Sequence, residues 1–224
     1  MNDYENLVRS RHSVRKYLDK EIELNKIEEL NRIIKEYNQE AELNIQLILD
    51  NQDVFDKFIL HYGRIQNAKS YIAMIGNKED KSADEKTGYY GEKIVLKAQE
   101  MGLNTCWVAG TFNKKYVKAE IKNNEKLICV IAIGYGENQG NMHKSKTFEE
   151  ISLSNNAPEW YKRGIEFALL APTAINQQKF KFELIEGNKV KATAPNGRMT
   201  KIDLGVVKYH FELGANVQNF SWAE

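Results

Sequence analysis

The stretch KLICVIAIG, residues 126–134, is the most apolar run of the chain. All seven residues between its lysine and its glycine are hydrophobic. A continuous apolar run of this length, ended by a glycine, is typical of a strand that is buried on both faces. We therefore expect residues 126–134 to lie at the centre of a sheet, with the rest of the chain packed around them.

Strands and helices are predicted to alternate on both sides of this run. Short apolar or alternating stretches predict strands, and apolar residues three and four apart predict amphipathic helices. Further strands are expected at residues 43–50, 71–76, 103–108 and, as a hairpin, 180–185 with 190–194. Helices are expected at residues 24–37, 55–60, 89–101, 113–122, 158–170 and 203–213, with a loop at 61–64. This order predicts an α+β or α/β sandwich with one central, mostly antiparallel sheet.

A few residues are expected to bound these helices. Asn113 and Asp203 are predicted N-caps, because their side-chain oxygens can accept hydrogen bonds from the free N–H groups of a first turn. Pro158 suits the first position of a helix. Gly102 and Gly214 are predicted to end helices, since glycine readily adopts the left-handed conformation found there.

The composition argues against several classes of protein. The 32 basic and 31 acidic side chains nearly cancel, so no excess of positive charge indicates a nucleic-acid surface. No apolar run approaches the roughly 20 residues of a membrane span, and no signal peptide is evident, so we expect a cytoplasmic protein. Cys106 and Cys129 have no partner at metal-ligand spacing, so both are expected to be buried thiols and no metal site is predicted.

A basic segment, RSRHSVRKY at residues 9–17, is the first candidate site. It holds three arginines, one lysine and two serines. Guanidinium groups form planar, bidentate hydrogen bonds to phosphate, and a serine hydroxyl adds a further donor without bulk. The segment therefore predicts an anion site, with a solvated basic turn before a helix as the alternative.

Four separated segments share a pattern with one known family. They are RHSVRKY (residues 11–17), GLNTCWVAG (102–110), IGYGENQGNMHKSKTFEE (133–150) and APTAINQQKFKFEL (171–184). Together they resemble the nitroreductase family of FMN-dependent oxidoreductases, which has an R-x-S-x-R motif, a G-L-x-[ST]-C segment, a glycine loop followed by lysines, and an A-P-S-x-x-N-x-Q segment. The run GYGENQG is not a dinucleotide fingerprint, because no clear helix follows it.

The order of these segments differs from that of ordinary members. There the P-S-x-x-N-x-Q segment follows the arginine motif by one helix, whereas here it follows a second helix at residues 158–170. Ordinary members are homodimers in which these two motifs meet from different subunits. The resemblance thus implies an α+β sandwich with two pseudo-symmetric halves in one chain, at residues 1–151 and 158–224. They would pack as one globular unit and form one FMN site within the chain, with the oligomeric state left open.

The resemblance also implies a set of flavin-binding residues. Lys144, Lys146 and Arg11, supported by Ser13 or Arg15, would neutralise the phosphate, and Arg11 or Arg15 would face the N1 and O2 edge. A backbone N–H of Ala109 or Gly110 would orient N5. The remaining contacts would come from His12, in a positional rather than a catalytic role, and from Pro172, Thr173, Ala174 and Asn176 along the ring edge. Arg64 matches a further flavin-contacting cation only loosely.

The implied activity is the reduction of a small-molecule electron acceptor. NADH or NADPH would reduce FMN, and a nitroaromatic, quinone or similar electron-poor compound would then take the electrons in a ping-pong cycle. No side-chain acid or base is required, and neither nucleic acid nor membrane is an expected partner. Two alternatives stay open, namely another flavoenzyme of the same fold that processes flavins, dehalogenates or oxidises rings, and a flavin-binding module without turnover.

Particular residues depart from the family pattern or allow a second interpretation. Lys179 replaces a proline, and Ala109 stands where many members have an acidic residue, so the choice of acceptor cannot be carried over; Thr173 for serine is a mild change. His210 is expected to be a core histidine rather than a ligand. Asn176 is expected to be a buried asparagine whose partners include the flavin edge.

Overall fold

The computed structural model describes residues 3–55, 64–154, 156–197 and 199–223. Residues 56–63 hold most of the helix predicted at 55–60 and of the loop predicted at 61–64, so these two predictions lie outside the described residues. Within the described part, Phe55 ends a short 3₁₀ turn, Gln52–Phe55. No helix among the described residues is long and apolar enough to cross a bilayer.

A four-stranded antiparallel sheet forms the centre of the first part of the chain. Its strands are β1 (Gln46–Ile48), β2 (Ser70–Asn77), β3 (Asn104–Val108) and β4 (Glu125–Gly134), in the spatial order β1-β2-β4-β3. The KLICVIAIG run lies within β4, between two neighbouring strands. The prediction of a central strand and of an antiparallel sheet in an α+β fold is therefore confirmed.

Both faces of this sheet are buried, which explains the continuous apolar pattern of β4. Successive side chains of a strand point to opposite faces. Ile131 and Ile133 accordingly belong to a core under the helices, whereas Val130 and Ala132 belong to a second core on the other face. The helices of this part are α1 (Asp3–Ser10), α2 (Leu24–Ala41) and α3 (Ala83–Glu100).

The remainder of the chain builds a smaller, separate layer. It contains α4 (Phe148–Ile151), α5 (Glu159–Ala168), β5 (Lys181–Ile185), β6 (Lys189–Thr193), α6 (Thr200–Ala215) and β7 (Ser221–Trp222). Strands β5 and β6 are the predicted hairpin, and β7 runs parallel to β6. An aromatic core holds this layer together, with the rings of Phe182 and Phe211 stacked at 4.8 Å between centroids.

Helices α3 and α6 join the two parts through glycines. A Cβ atom on Gly88 would lie 2.0 Å from the carbonyl oxygen of Ile202, and one on Gly205 would lie 2.0 Å from that of Glu85. Gly88 therefore packs on Ile202, three residues before Gly205, and Gly205 packs on Glu85, three residues before Gly88. The contact is reciprocal, as in an interface between equivalent surfaces, and only residues without a side chain allow this approach.

Several of the predicted helix boundaries are wrong. Helix α3 begins at Ala83 rather than at residue 89, and Pro158 is the N-cap of α5 rather than its first residue. The helix expected at 113–122 is a single 3₁₀ turn, Lys114–Tyr116, although Asn113 caps it as expected. The chain beyond that turn is held by side chains of the sheet: Gln46 bonds both backbone groups of Glu120, and the Tyr71 hydroxyl accepts from the Lys118 N–H. These bonds replace those of a helix.

The last helix also differs from its prediction at both ends. Its first residue is Thr200, so Asp203 lies inside the first turn and is not the N-cap. Gly214 does not end the helix, because it packs against Phe167 and the helix continues to Ala215. Gly102, by contrast, follows α3 with a φ of +75°, as predicted for a helix-ending glycine.

Candidate functional site

A cavity of about 1250 Å³ lies between the two parts of the chain. One wall is formed by the arginine motif and the end of β3, and the other by residues 172–177 and the start of α6. Ten of the twelve residues predicted to bind a cofactor line this cavity. They are Arg11, His12, Ser13, Arg15, Ala109, Gly110, Pro172, Thr173, Ala174 and Asn176.

The arginine motif is held against the sheet by its apolar residues. Val14 and Tyr17 are buried in the second core, and their backbone N–H groups donate to the carbonyl oxygens of Thr105 and Gln66, both at 3.0 Å. The polar residues between them, including Ser13 and Arg15, line the cavity. The alternation of apolar and basic residues thus presents the cations to the cavity.

Arg11 is the buried member of the motif. Its side chain is only 3% exposed, one Nη donates to the Leu170 carbonyl at 3.2 Å, and Nε lies 3.7 Å from the Glu92 carboxylate. Nε has no hydrogen-bond partner among the described residues. Burial lowers the pKa of Arg11, and Glu92 opposes that shift. Because the Arg11 residue nevertheless lines the cavity, its guanidinium charge is suited to an anionic ligand there.

The glycine-rich loop after β4 packs against the arginine motif. The Asn104 side chain accepts from the Gly136 N–H at 2.9 Å and donates to Gln139 at 3.0 Å. Gly140 has a φ of +75°, and a Cβ there would lie 2.8 Å from that of His12. The loop is therefore anchored, and its small residues let it lie against the arginine motif.

Lys144 and Lys146 do not line the cavity in the described part of the chain. The Lys146 ammonium group donates to the Gln178 carbonyl at 2.9 Å, and the Lys144 carbonyl accepts from the side chains of Asn176 and Gln178. Both lysines thus hold residues 176–178 through local bonds. The cations that line the cavity are instead Arg11, Arg15, Lys16, Arg64 and Lys179.

The opposite wall is a strained turn. Residues 174–176 form a 3₁₀ turn in which Ile175 and Asn176 have φ values of +50° and +54°, and Gln178 follows at +44°. Positive φ is unfavourable for a β-branched residue such as Ile175 and occurs often at functional sites. The expectation that Asn176 is buried is wrong: its side chain is exposed, because it points to the Lys144 backbone at the surface of the turn.

Asp203 fixes this turn to helix α6. One carboxylate oxygen accepts from the Ala174 N–H at 2.9 Å, and the other accepts from the Gln177 side chain at 2.7 Å. The side chain lines the cavity yet is largely buried, and burial raises the pKa of Asp203. Sequence reasoning missed this role, because an aspartate near a helix start is also the usual signal of an N-cap.

The end of β3 supplies small residues and one aromatic wall. Pairing with β4 stops at Val108, and Ala109 and Gly110 then line the cavity with little side chain to cover their backbone. Trp107 also lines it, and its indole N–H donates to Glu92 at 2.9 Å. Glu92 is fully buried behind this wall, and no motif in the sequence indicated its role.

The electrostatic character of the cavity is cationic. Five arginine or lysine side chains line it, and Asp203 is the one carboxylate among its described lining residues. Lys16 is partly neutralised by Glu137 at 2.8 Å. Burial and the charge of Arg11 lower the pKa of both His12 and His143. The described residues contain no cluster suited to a metal ion.

The comparisons with known proteins identify the family. A family model described as "Putative TM nitroreductase" matches residues 4–215. The chain belongs to this family. No curated protein matches the sequence. The nitroreductase resemblance seen in the four motifs is therefore confirmed at the level of the family.

Solved structures of nitroreductases share the fold. A "putative nitroreductase" from Thermotoga maritima MSB8 is 20% identical, with a TM-score of 0.69 over 96% of this chain and 83% of that one. A "putative nitroreductase in complex with FMN" from Desulfovibrio desulfuricans is 17% identical, with a TM-score of 0.55 over 70% of this chain and 99% of that one. A "Putative NADH dehydrogenase/NAD(P)H nitroreductase" from Bacteroides thetaiotaomicron is 22% identical, with a TM-score of 0.55 over 70% and 98%. These similarities establish the nitroreductase fold.

Proposed function

We propose that the protein is an FMN-dependent oxidoreductase that uses NADH or NADPH to reduce nitroaromatics, quinones or similar electron-poor compounds. The observation that carries the proposal is the cationic cavity of about 1250 Å³ in which all four separated motif segments of a nitroreductase-family chain meet. FMN carries about two negative charges on its phosphate near neutral pH. The positive charge of Arg11 in the lining and the bare backbone at Ala109 and Gly110 fit such a ligand.

Different residues of the cavity would bind different parts of the cofactor. Arg15 and Arg64, which are exposed cations of the lining, are the candidates for the phosphate, with Ser13 as a further donor. The backbone N–H groups at Ala109 and Gly110 would approach the reactive ring edge, because no side chain bars them. The turn from Pro172 to Asn176 would close the other side of the site.

The chemistry needs little from the side chains. When bound, FMN supplies the two-electron transfer from the nicotinamide to the acceptor. The chain itself binds and orients both reactants in turn on one open side and keeps the ring from bulk water. Cationic residues such as Arg11 would also favour the reduced, more negative state of the ring.

We also propose that the site is completed within one chain, by two unequal halves. Strands β1 and β2 are followed by α3 and then β3, and the hairpin β5–β6 is followed by α6 and then β7. In both cases the strand after the helix is parallel to the strand before it, since β2 and β3 are each antiparallel to β4. The reciprocal glycine contact between α3 and α6 supports this relation.

The second half has no counterpart of β4 among its described residues and carries no arginine motif. The Desulfovibrio chain, aligned over 99% of its length, covers only 70% of this chain, which is consistent with additional structure beyond one ordinary unit. We therefore expect one FMN per chain, bound between residues of both halves.

The test is a visible spectrum of the purified protein with the released flavin identified and counted. A yellow protein with about one FMN per chain, bleached rapidly by NADH or NADPH and reoxidised by a quinone, supports the proposal. A colourless protein that fails to bind added FMN contradicts it, as does a flavin that neither nucleotide reduces. Two FMN per chain would contradict the single site.

A further inference from the structure

Behind the cavity wall lies a buried polar cluster that the proposed function does not use. It is centred on Glu92 of α3 and His210 of α6, both fully buried. One Glu92 oxygen lies 2.9 Å from Nε2 of His210 and 3.7 Å from Nε of Arg11, and its other oxygen accepts from the Trp107 indole at 2.9 Å. Arg11 and Trp107 both line the cavity, so the cluster contacts the site from behind.

The hydrogen bonds of His210 determine how many protons the pair holds. Nδ1 lies 3.1 Å from the backbone carbonyl of Phe167, which can only accept, so Nδ1 carries a proton. A neutral imidazole would then present a bare Nε2 lone pair to the Glu92 oxygen at 2.9 Å. Two acceptors facing each other without water in a buried site are strongly unfavourable.

We infer that Glu92 and His210 share a proton, and that with Arg11 they form a buried unit with one net positive charge, which strengthens the binding of an anion in the cavity. The net charge does not depend on where the proton resides. An imidazolium beside a carboxylate and a neutral imidazole beside a carboxylic acid both sum to zero, and Arg11 adds one. Glu92 and His210 are thus positioning residues for the proposed flavin site, on which this inference rests.

Among the described residues, few other charges surround the pair. The groups that face it are Arg11 from the loop after α1, Trp107 from β3, His143 from the loop after β4 and Tyr209 of α6. His143 lies 3.0 Å from the Leu169 carbonyl, and burial lowers its pKa, which favours its neutral form, so it adds no negative charge to the unit. An anion in the cavity would therefore supply a compensating negative charge.

Two substitutions separate charge from structure. In Glu92→Gln the amide can accept from Trp107 and donate to a neutral His210, so all hydrogen bonds and the single net charge are retained. In His210→Gln the pair loses its shared proton, and Glu92 cancels Arg11. Lys93→Gln, one residue along α3 and outside the cavity lining, removes a positive charge and is the matched control.

The first experiment uses the ligand-free protein. Nitrogen NMR of labelled histidines and carbon NMR of the Glu92 carboxyl are expected to show a protonated Nδ1 and one further proton on Nε2 or on the carboxyl group. Glu92→Gln is expected to convert the ring to the neutral form. A bare Nδ1, or a bare Nε2 facing an ionised carboxylate, would overturn the inference even if His210→Gln does not fold.

The second experiment measures the dissociation constant for FMN at fixed ionic strength. We expect His210→Gln to weaken binding by about tenfold, and Glu92→Gln and Lys93→Gln to change it by less than about threefold. Equal losses in the Glu92 and His210 variants would show a merely structural role and overturn the electrostatic part. A protein with the shared proton that bound no FMN would contradict the proposed function and leave the proton assignment in place.

Discussion

The carboxylate of Asp203 accepts a hydrogen bond from the backbone N–H of Ala174 at 2.9 Å. This bond ties the first turn of α6 to a segment in which Ile175, Asn176 and Gln178 all have positive φ. Since such conformations cost energy for residues other than glycine, the turn depends on bonds from outside. The shape of this side of the cavity is therefore set by a residue 29 positions further along the chain.

Asp203 should give the protein a distinctive pH dependence. Burial raises its pKa above the ordinary value of 3.8, so between that value and the raised pKa the folded state binds more protons than the unfolded state. Stability contributed by this group is therefore present at low pH and falls as the pH rises through that window, by at most about 1.4 kcal/mol per pH unit. Asp203→Asn removes the titration. Urea unfolding from pH 4 to 7 should show the wild type losing stability relative to this variant; parallel profiles would contradict the assignment.

Gly140 should be essential for the position of the arginine motif. A Cβ at this residue would lie 2.8 Å from that of His12, at a φ of +75°. Gly187 is a matched control, because its φ is +73° and no atom of the other described residues lies within 4 Å of a Cβ there. Gly187→Ala should cost about 1 kcal/mol of unfolding free energy from backbone strain alone, and Gly140→Ala about 1–3 kcal/mol more from the clash. Equal losses of unfolding free energy in the two variants, measured by chemical denaturation, would mean that the loop does not pack against the motif.

The cations of the cavity lining, rather than the lysines predicted from the motif, should dominate the binding of FMN. Arg15 lines the cavity, whereas Lys144 is exposed outside it. Arg15→Ala is expected to weaken FMN binding by about tenfold. The dissociation constant of this variant should also depend less on salt concentration than that of the wild type. Lys144→Ala should change the dissociation constant by less than about twofold. A larger effect of Lys144 in fluorescence titrations would restore the phosphate role predicted from the sequence.

The contact between α3 and α6 should tolerate no side chain. Alanine usually stabilises a helix relative to glycine by about 1 kcal/mol. At Gly88 the new Cβ would lie 2.0 Å from the Ile202 carbonyl, so Gly88→Ala should instead destabilise the protein by more than about 3 kcal/mol, because backbone atoms must move. Gly197→Ala, where the nearest contact given by the described residues is the Thr200 side chain at 3.5 Å, is the control and should change the melting temperature little. A stable Gly88→Ala protein would contradict the close helix contact.

Much of the fold could be predicted from the sequence because it is encoded locally. The apolar run of β4, the helical periodicity of α2 and the alternation of the β5–β6 hairpin depend on neighbouring residues, and all three are confirmed. His210 is a core histidine, as expected, with both ring nitrogens bonded. The helix predicted after Asn113 is wrong because backbone N–H groups of this segment donate to Gln46 and Tyr71. Local helix propensity cannot reveal such distant partners.

The sequence by itself determined which motifs line the candidate site, since ten of the residues that it marked lie in the wall of one cavity. Only the tertiary structure decided the partners of those residues. It showed that Lys146 is engaged with Gln178, that Asp203 holds a strained turn, and that Glu92 joins Arg11 to His210. The physical reason is that hydrophobic periodicity records which faces are buried. Hydrogen bonds and ion pairs between distant residues depend instead on how helices and strands pack, and here on the close contact that glycines allow between α3 and α6.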